Sequence, residues 1–320
     1  MDAVTREDVG AAAERIAGAV RRTPVLTLEP DALGIGVRLH AKLDLLQPTG
    51  SFKVRGAMSL LTGADVPEAG VVAASGGNFG LAVAWAARRL GHRAAVFVPE
   101  SSPPAKLRPL AELGADVHVV PGYYAEALAA ADAHVAATGA LSAHAYDQPE
   151  VVAGQGTATA ELLADAPGLD TLLVAVGGGG LIAGAAAWVT DEIRLVGVET
   201  DGTPAMHAAR AAGRPVDVEV GGLAASSLGA RRLGALAWAA QPWVDDALLV
   251  SDAEVVQAQR RLWAAARLAA EPGGAVALAA LTSGRYRPRP GERVGVLVCG
   301  GNVDPATVVD AADPSAPSGG

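Results

Sequence analysis

The chain has 320 residues, enough for one large α/β domain or two lobes. Apolar residues make up 51% and aromatics only 4%, so Ala, Val and Leu must fill the core. A formal net charge of −9 argues against nucleic acid or an anionic membrane as partner, since both carry the same sign.

The N-terminal stretch MDAVTREDVGAAAERIAGAV lacks the basic start and apolar block of a signal peptide. No uninterrupted apolar run reaches the roughly eighteen residues a membrane helix needs. Cys299 is the single cysteine, which excludes internal disulfides and points to a reducing, cytoplasmic compartment. A first helix is expected after Thr5, with Asp8 at capping-box spacing. "TPVLTL" and "VRLHAKLDLL" alternate like short strands. From residue 70 a regular series follows: "GVVAAS" strand, "NFGLAVAWAARRLG" helix closed by Gly91, "RAAVFVP" strand, "PPAKLRPLAELGA" helix, "DVHVVP" strand, "YYAEALAAADAHVAATG" helix. A second series begins after residue 150, with "TLLVAV", "RLVGVET" and "RVGVLVCG" as strands between helices. Short apolar runs alternating with helices predict βαβ units and parallel sheets. The expected organisation is two lobes: residues 1–69 with 146–310 as the large one, 70–145 as the small one, and 311–320 as a disordered tail. Glycine clusters at 76–77, 177–180 and 300–301 each follow a strand directly, so all three are expected at one ligand site beyond the carboxyl ends of the strands.

Two stretches carry chemistry. In "LLVAVGGGGLIAGAA" a strand runs into Gly177, Gly178, Gly179 and Gly180, and a helix follows at once. Bare backbone N–H groups at a helix N-terminus bind anions, phosphate above all. No Lys-Ser/Thr pair follows, so it is not a P-loop. Gly178, Gly180 and Ala183 satisfy G-x-G-x-x-A, and Glu199 ends the next strand where a ribose-binding acid belongs, so this region alone also fits a nicotinamide cofactor. The second stretch, "QPTGSFKVRGA", sets Lys53 among small residues beside Phe52. A lysine that attacks an aldehyde must be desolvated and free of its proton, and a dehydrogenase has no need of one here.

With these residues in view, the sequence resembles the pyridoxal-phosphate enzymes of fold type II, particularly serine/threonine dehydratases and serine racemase. The resemblance spans nearly the whole chain through "KLDLLQPTGSFKVRGA", "ASGGNFGLAVA", "HAYDQPEVVAGQGT", "VGGGGLIAG", "VGVETDGTPAM", "EPGGAVALAAL" and "CGGNVD", in the family's order. It implies an α/β fold of two lobes with mostly parallel twisted sheets flanked by helices, like the β subunit of tryptophan synthase. It implies pyridoxal 5'-phosphate in Schiff-base linkage to Lys53, which then serves as base at the substrate Cα. Phe52 would lie against the pyridine ring and Asn78 would bond its 3-hydroxyl. Gly177 to Gly180 with the Leu181 backbone would cradle the phosphate. Ser75, with backbone N–H groups near Gly77 and Asn78, would grip the substrate carboxylate. Cys299 would face the pyridine nitrogen, where a thiol is a weak partner and favours coupled loss of the Cα proton and a β-hydroxyl. A homodimer is also implied.

Some positions depart from the family. Gly76 stands where the racemase has a serine proton donor, so poor racemisation is expected. Phe79 replaces a histidine, which either alters substrate recognition or only packs under the loop. Glu199 matches one acidic ligand of a cation site, but the second position is Ala205, so no divalent metal is expected. His144 reads as structural. Glu271 matches a position near the cofactor or simply starts a helix, and Ser226 and Ser227 stay without a role. After "CGGNVD" only a short tail remains, so no regulatory domain is expected.

The leading reading is a pyridoxal-phosphate ammonia-lyase that converts threonine, serine or a related β-hydroxy amino acid into a 2-oxo acid and ammonia. Alternatives are a dehydratase for a bulkier substrate such as phenylserine or 3-hydroxyaspartate, an amino-acid racemase, an NAD(P)-dependent oxidoreductase, and a catalytically silent sensor.

Overall fold

The computed structural model describes residues 3–102, 104–189 and 191–309, and the expected disordered tail lies outside them. Helix α1 (Arg6–Ile16) starts at Thr5, whose hydroxyl accepts from the Asp8 N–H while the Asp8 carboxylate accepts from the Thr5 N–H, the reciprocal cap expected from the spacing. There follow β1 (Val25–Leu28), β2 (Leu39–Lys42), α2 (Lys53–Gly63), β3 (Val71–Ala74), α3 (Asn78–Leu90), β4 (Ala94–Pro99), α4 (Pro104–Glu112), β5 (Asp116–Val120), α5 (Tyr124–Thr138) and β6 (Leu141–Ala143). Next come α6 (Pro149–Asp165), β7 (Thr171–Ala175), α7 (Gly180–Trp188), β8 (Arg194–Thr200), α8 (Ala205–Ala212) and β9 (Asp246–Val250). Helices at Asp252–Ala266 and Pro272–Thr282 precede the last strand, β10 (Val294–Leu297).

The strands form two sheets, a six-stranded one in the order β1-β2-β10-β7-β8-β9 and a four-stranded one in the order β5-β4-β3-β6. Every pairing is parallel except β1 with β2. This is an α/β fold with parallel-dominated sheets flanked by helices. Strands β7 and β10 are buried along their whole length, which is why, Thr171 at the start of β7 aside, they read as apolar runs. α3 ends at Gly91 in the left-handed conformation, the C-cap expected of it.

The helix that begins with Lys53 is anchored by a buried ion cluster. The Arg55 guanidinium, wholly inaccessible, donates to both Asp44 oxygens at 2.7 and 2.9 Å and to both Glu161 oxygens at 2.8 and 2.9 Å. The buried Lys42 amine lies 2.6 Å from Glu161 and donates to the Thr23 carbonyl at 2.5 Å. Two cations thus face two carboxylates, and β2, α2 and α6 are pinned together.

Candidate active site

The three glycine clusters sit at the carboxyl ends of β3, β7 and β10. The chain around Lys53 is stitched to the last of them. Phe52 N–H donates to the Cys299 carbonyl at 2.9 Å, Gly301 N–H donates to the Gly50 carbonyl at 2.8 Å, and Ser51 bridges to Gly300. Gly50 adopts a φ of 72°, and a Cβ there would lie 2.1 Å from Asn302 Oδ1, so the turn before Lys53 requires glycine.

A cavity of about 510 Å³ brings Lys53, Ser75, Gly77, Asn78, Phe79 and Gly178 together. Phe52, Gly177, Gly179, Gly180, Leu181 and Cys299 are not among the residues that line it. A roomier groove of about 640 Å³ at the opposite, amino ends of β7 and β8 holds none of these residues.

Lys53 Nζ donates to the Ala145 carbonyl at 2.8 Å, with the Phe52 and Phe79 rings 5.0 and 5.8 Å away. Desolvation pulls its pKa down to about 8, against the opposing pull of Glu271. About a tenth of the amine is therefore proton-free at neutral pH, far more than for an ordinary lysine, and a Schiff-base lysine reacts through that form. Cys299 is buried, and burial raises its thiol far above the ordinary cysteine value, so it stays protonated and donates to the Gly273 carbonyl at 3.5 Å.

Ser75 to Asn78 form the turn from β3 into α3, with the Ser75 hydroxyl accepting from the Gly77 N–H at 3.4 Å. A Cβ on Gly80 would lie 1.8 Å from the Ser75 carbonyl, so the turn closes on α3 only with glycine there. Phe79 is 3% exposed and packs in the core between α2 and α3 while its ring edges the cavity. Asn78 belongs to a chain of side-chain bonds. Its Nδ2 donates to Glu271 Oε1 at 2.5 Å, and its Oδ1 accepts from Asn302 Nδ2, which also donates to the Thr49 carbonyl. Burial raises Glu271 to about 7, opposed by the Asn78 bond. The role of Asn302 could not be read from the sequence, because only the fold sets it beside Asn78.

The Gly177–Gly180 loop has the geometry of an anion cradle. Gly179 has a φ of 93°, and a Cβ on Gly178 would lie 2.3 Å from the Tyr146 ring. The first N–H groups of α7 have no partner within the helix and are available to oxyanions. Glu199, expected at a ribose or a cation, does something else. It is inaccessible, and its oxygens accept from the Met206 and His207 N–H groups at 2.7 and 2.8 Å, capping α8. Burial raises it to about 7 even so. Its carboxylate is thus occupied, and the nicotinamide reading loses its acid. His144 accepts from the Asp147 N–H at 2.9 Å and holds the segment that carries Ala145 and Tyr146. The Ser227 hydroxyl accepts from the Gly273 N–H at 3.1 Å, while Ser226 lines the cavity.

A desolvated lysine, a glycine loop at one helix N-terminus and the N-terminus of a second helix meet at one cavity, an arrangement suited to a phosphorylated aldehyde carried on lysine. Residues 16–300 match the family described as pyridoxal-phosphate dependent enzyme. The chain belongs to that family. It is 36% identical over 301 residues to an L-threonine ammonia-lyase of Geobacter sulfurreducens, covering 92% of this chain and 75% of the relative. Among solved structures it resembles maize serine racemase, with a TM-score of 0.90, 32% identity and 96% of each chain covered. It also resembles a T.th. threonine deaminase, with a TM-score of 0.88, 35% identity, and 94% and 99% covered. Among the described residues no helix is long and apolar enough to cross a membrane.

Proposed function

We propose that the protein is a pyridoxal-phosphate ammonia-lyase that takes threonine, serine or a related β-hydroxy amino acid to the 2-oxo acid and ammonia. The observation that carries this reading is the desolvated Lys53 amine, set between the Phe52 and Phe79 rings and opening on a cavity at two helix N-termini. When bound, the cofactor supplies an electrophilic aldehyde and a ring that acidifies the substrate's Cα–H. Lys53 takes the proton from Cα. The Gly177–Leu181 N–H groups would hold the phosphate, Phe52 would flank the ring, and Asn78 would meet its hydroxyl. Ser75 and the N–H groups at Gly77 and Asn78 hold the α-carboxylate, and Phe79 edges the substrate. The protonated Cys299 thiol would leave the ring nitrogen without a counter-charge, which would favour departure of the β-hydroxyl together with the Cα proton. Water leaves at that step and a water re-enters on hydrolysis, so substrate equals 2-oxo acid plus ammonia.

Racemisation is the second reading, since maize serine racemase shares the fold. Gly76 has no proton to deliver to the opposite face, which favours elimination. We further infer a cytoplasmic homodimer whose site lies between a small lobe, residues 70–145, and the rest of the chain. The lone cysteine supports the compartment, and light scattering measures the assembly. The decisive test incubates the loaded enzyme with serine, threonine, phenylserine and 3-hydroxyaspartate and follows 2-oxo acid, ammonia and the chirality of residual substrate. Rapid inversion without ammonia would replace the lyase reading by the racemase one.

A further inference from the structure

We propose that Arg231 selects for substrates with an anionic group on Cβ, so that β-hydroxy amino acids bearing a second carboxylate are preferred over threonine. This rests on the lyase reading and names its substrate class.

The chain is acidic, with 34 Asp and Glu residues, yet none of the described residues lining the active cavity is acidic. Arg231 and Arg232 line it instead. The two are not equivalent. Arg232 Nε donates to Asp217 Oδ1 at 2.7 Å, so its charge is already met. Arg231 is exposed, and among the described residues its guanidinium has neither an ion pair nor a side-chain hydrogen bond. Its backbone is fixed, because its carbonyl accepts from the Val218 N–H at 2.8 Å. This segment faces the turn at Ser75–Asn78, since a Cβ on Gly77 would come within 3.8 Å of the Ser226 carbonyl. Arg231 and that turn line the same cavity, and on this proposal the Cβ substituent of a substrate whose α-carboxylate rests on the turn lies against Arg231. A carboxylate there meets a planar fork able to bind it through two nitrogens. A methyl group, as in threonine, gains nothing from it.

Threonine and 3-hydroxyaspartate differ at Cβ only in methyl against carboxylate, so the ratio of their kcat/KM values isolates the effect. The wild-type ratio favours 3-hydroxyaspartate, and in R231Q it falls about tenfold, the share of one charge-assisted hydrogen bond. R231K recovers part of it. Calorimetric binding of succinate against butyrate to the holoenzyme gives the same comparison without turnover. A ratio unchanged in R231Q overturns the proposal, as does an equal loss for both substrates together with weaker pyridoxal-phosphate binding, which would assign Arg231 to the cofactor. Absence of ammonia from every substrate would sink the lyase reading, while the succinate and butyrate comparison would still judge Arg231.

Discussion

The buried cluster below Lys53 gives a stability effect that can be worked from the geometry. Asp44→Asn keeps the side-chain volume and removes one of the two carboxylates that balance Lys42 and Arg55. The Arg55 Nε and Nη2 that now donate to Asp44 at 2.7 and 2.9 Å would meet an amide able to accept at only one end. Breaking a buried pair costs about 3–5 kcal/mol. Glu161 still accepts from both Arg55 Nη atoms, so the low end applies, about 3 kcal/mol, or roughly 4–5 °C in Tm for a chain of 320 residues. Scanning calorimetry of the wild type and D44N measures it. The pH dependence adds a signature. Burial alone would raise Asp44, but the Arg55 charge and the bonds from Arg55 and Thr23 outweigh it and hold its pKa below the ordinary 3.8. A carboxylate lowered on folding stabilises above its unfolded pKa, and that contribution is lost as pH falls through the folded one. The wild type therefore loses this increment below the ordinary aspartate value, and D44N has none to lose. A D44N melting point within 1–2 °C of wild type at neutral pH, with the same acid limb, would show that the ion cluster does not carry this load.

Three further outcomes follow from the site. Lys53→Ala should cut kcat by about 10²–10⁴ or more and abolish borohydride trapping of the cofactor, and trapping on wild-type apoenzyme should quicken as pH rises through about 8, where the amine loses its proton. Gly178→Ala forces a methyl against the Tyr146 ring, so about 1–3 kcal/mol of strain should appear as roughly 5–150-fold weaker pyridoxal-phosphate binding in an absorbance titration. Asn302→Asp sets an acceptor against Asn78 Oδ1 and the Thr49 carbonyl, and should lower kcat/KM more than Asn302→Ala with little change in Tm.

What the sequence displayed was whatever has a local physical signature. The α1 cap was legible because Thr5 and Asp8 bond each other within one turn, and the central strands because burial on both faces leaves them almost wholly apolar. The glycine loop was legible because only glycine tolerates Gly179's backbone and the Tyr146 ring at Gly178. Glu199 shows where local reading stops. Its spacing after the glycines fits a ribose acid, but the chain turns α8 back so that its N-terminus meets the carboxylate, and that return is a tertiary event. Asn302 and Arg231 were invisible for the same reason. One gains its meaning from Asn78 and Glu271, more than two hundred and about thirty residues away in sequence respectively. The other differs from its neighbour Arg232 only in lacking the Asp217 that holds the latter.

These cases divide the site by physical kind. In the proposed site the phosphate cradle is backbone: glycines at a strand end and the first N–H groups of a helix, which the fold presents whatever the surrounding side chains. The side chains of the segment 225–232 and of Phe79 line the same cavity, and their placement depends on tertiary packing. Cofactor identity is therefore readable from contiguous motifs. The proposed substrate preference rests on one guanidinium having a partner and its neighbour lacking one, a difference that only the assembled cavity reveals.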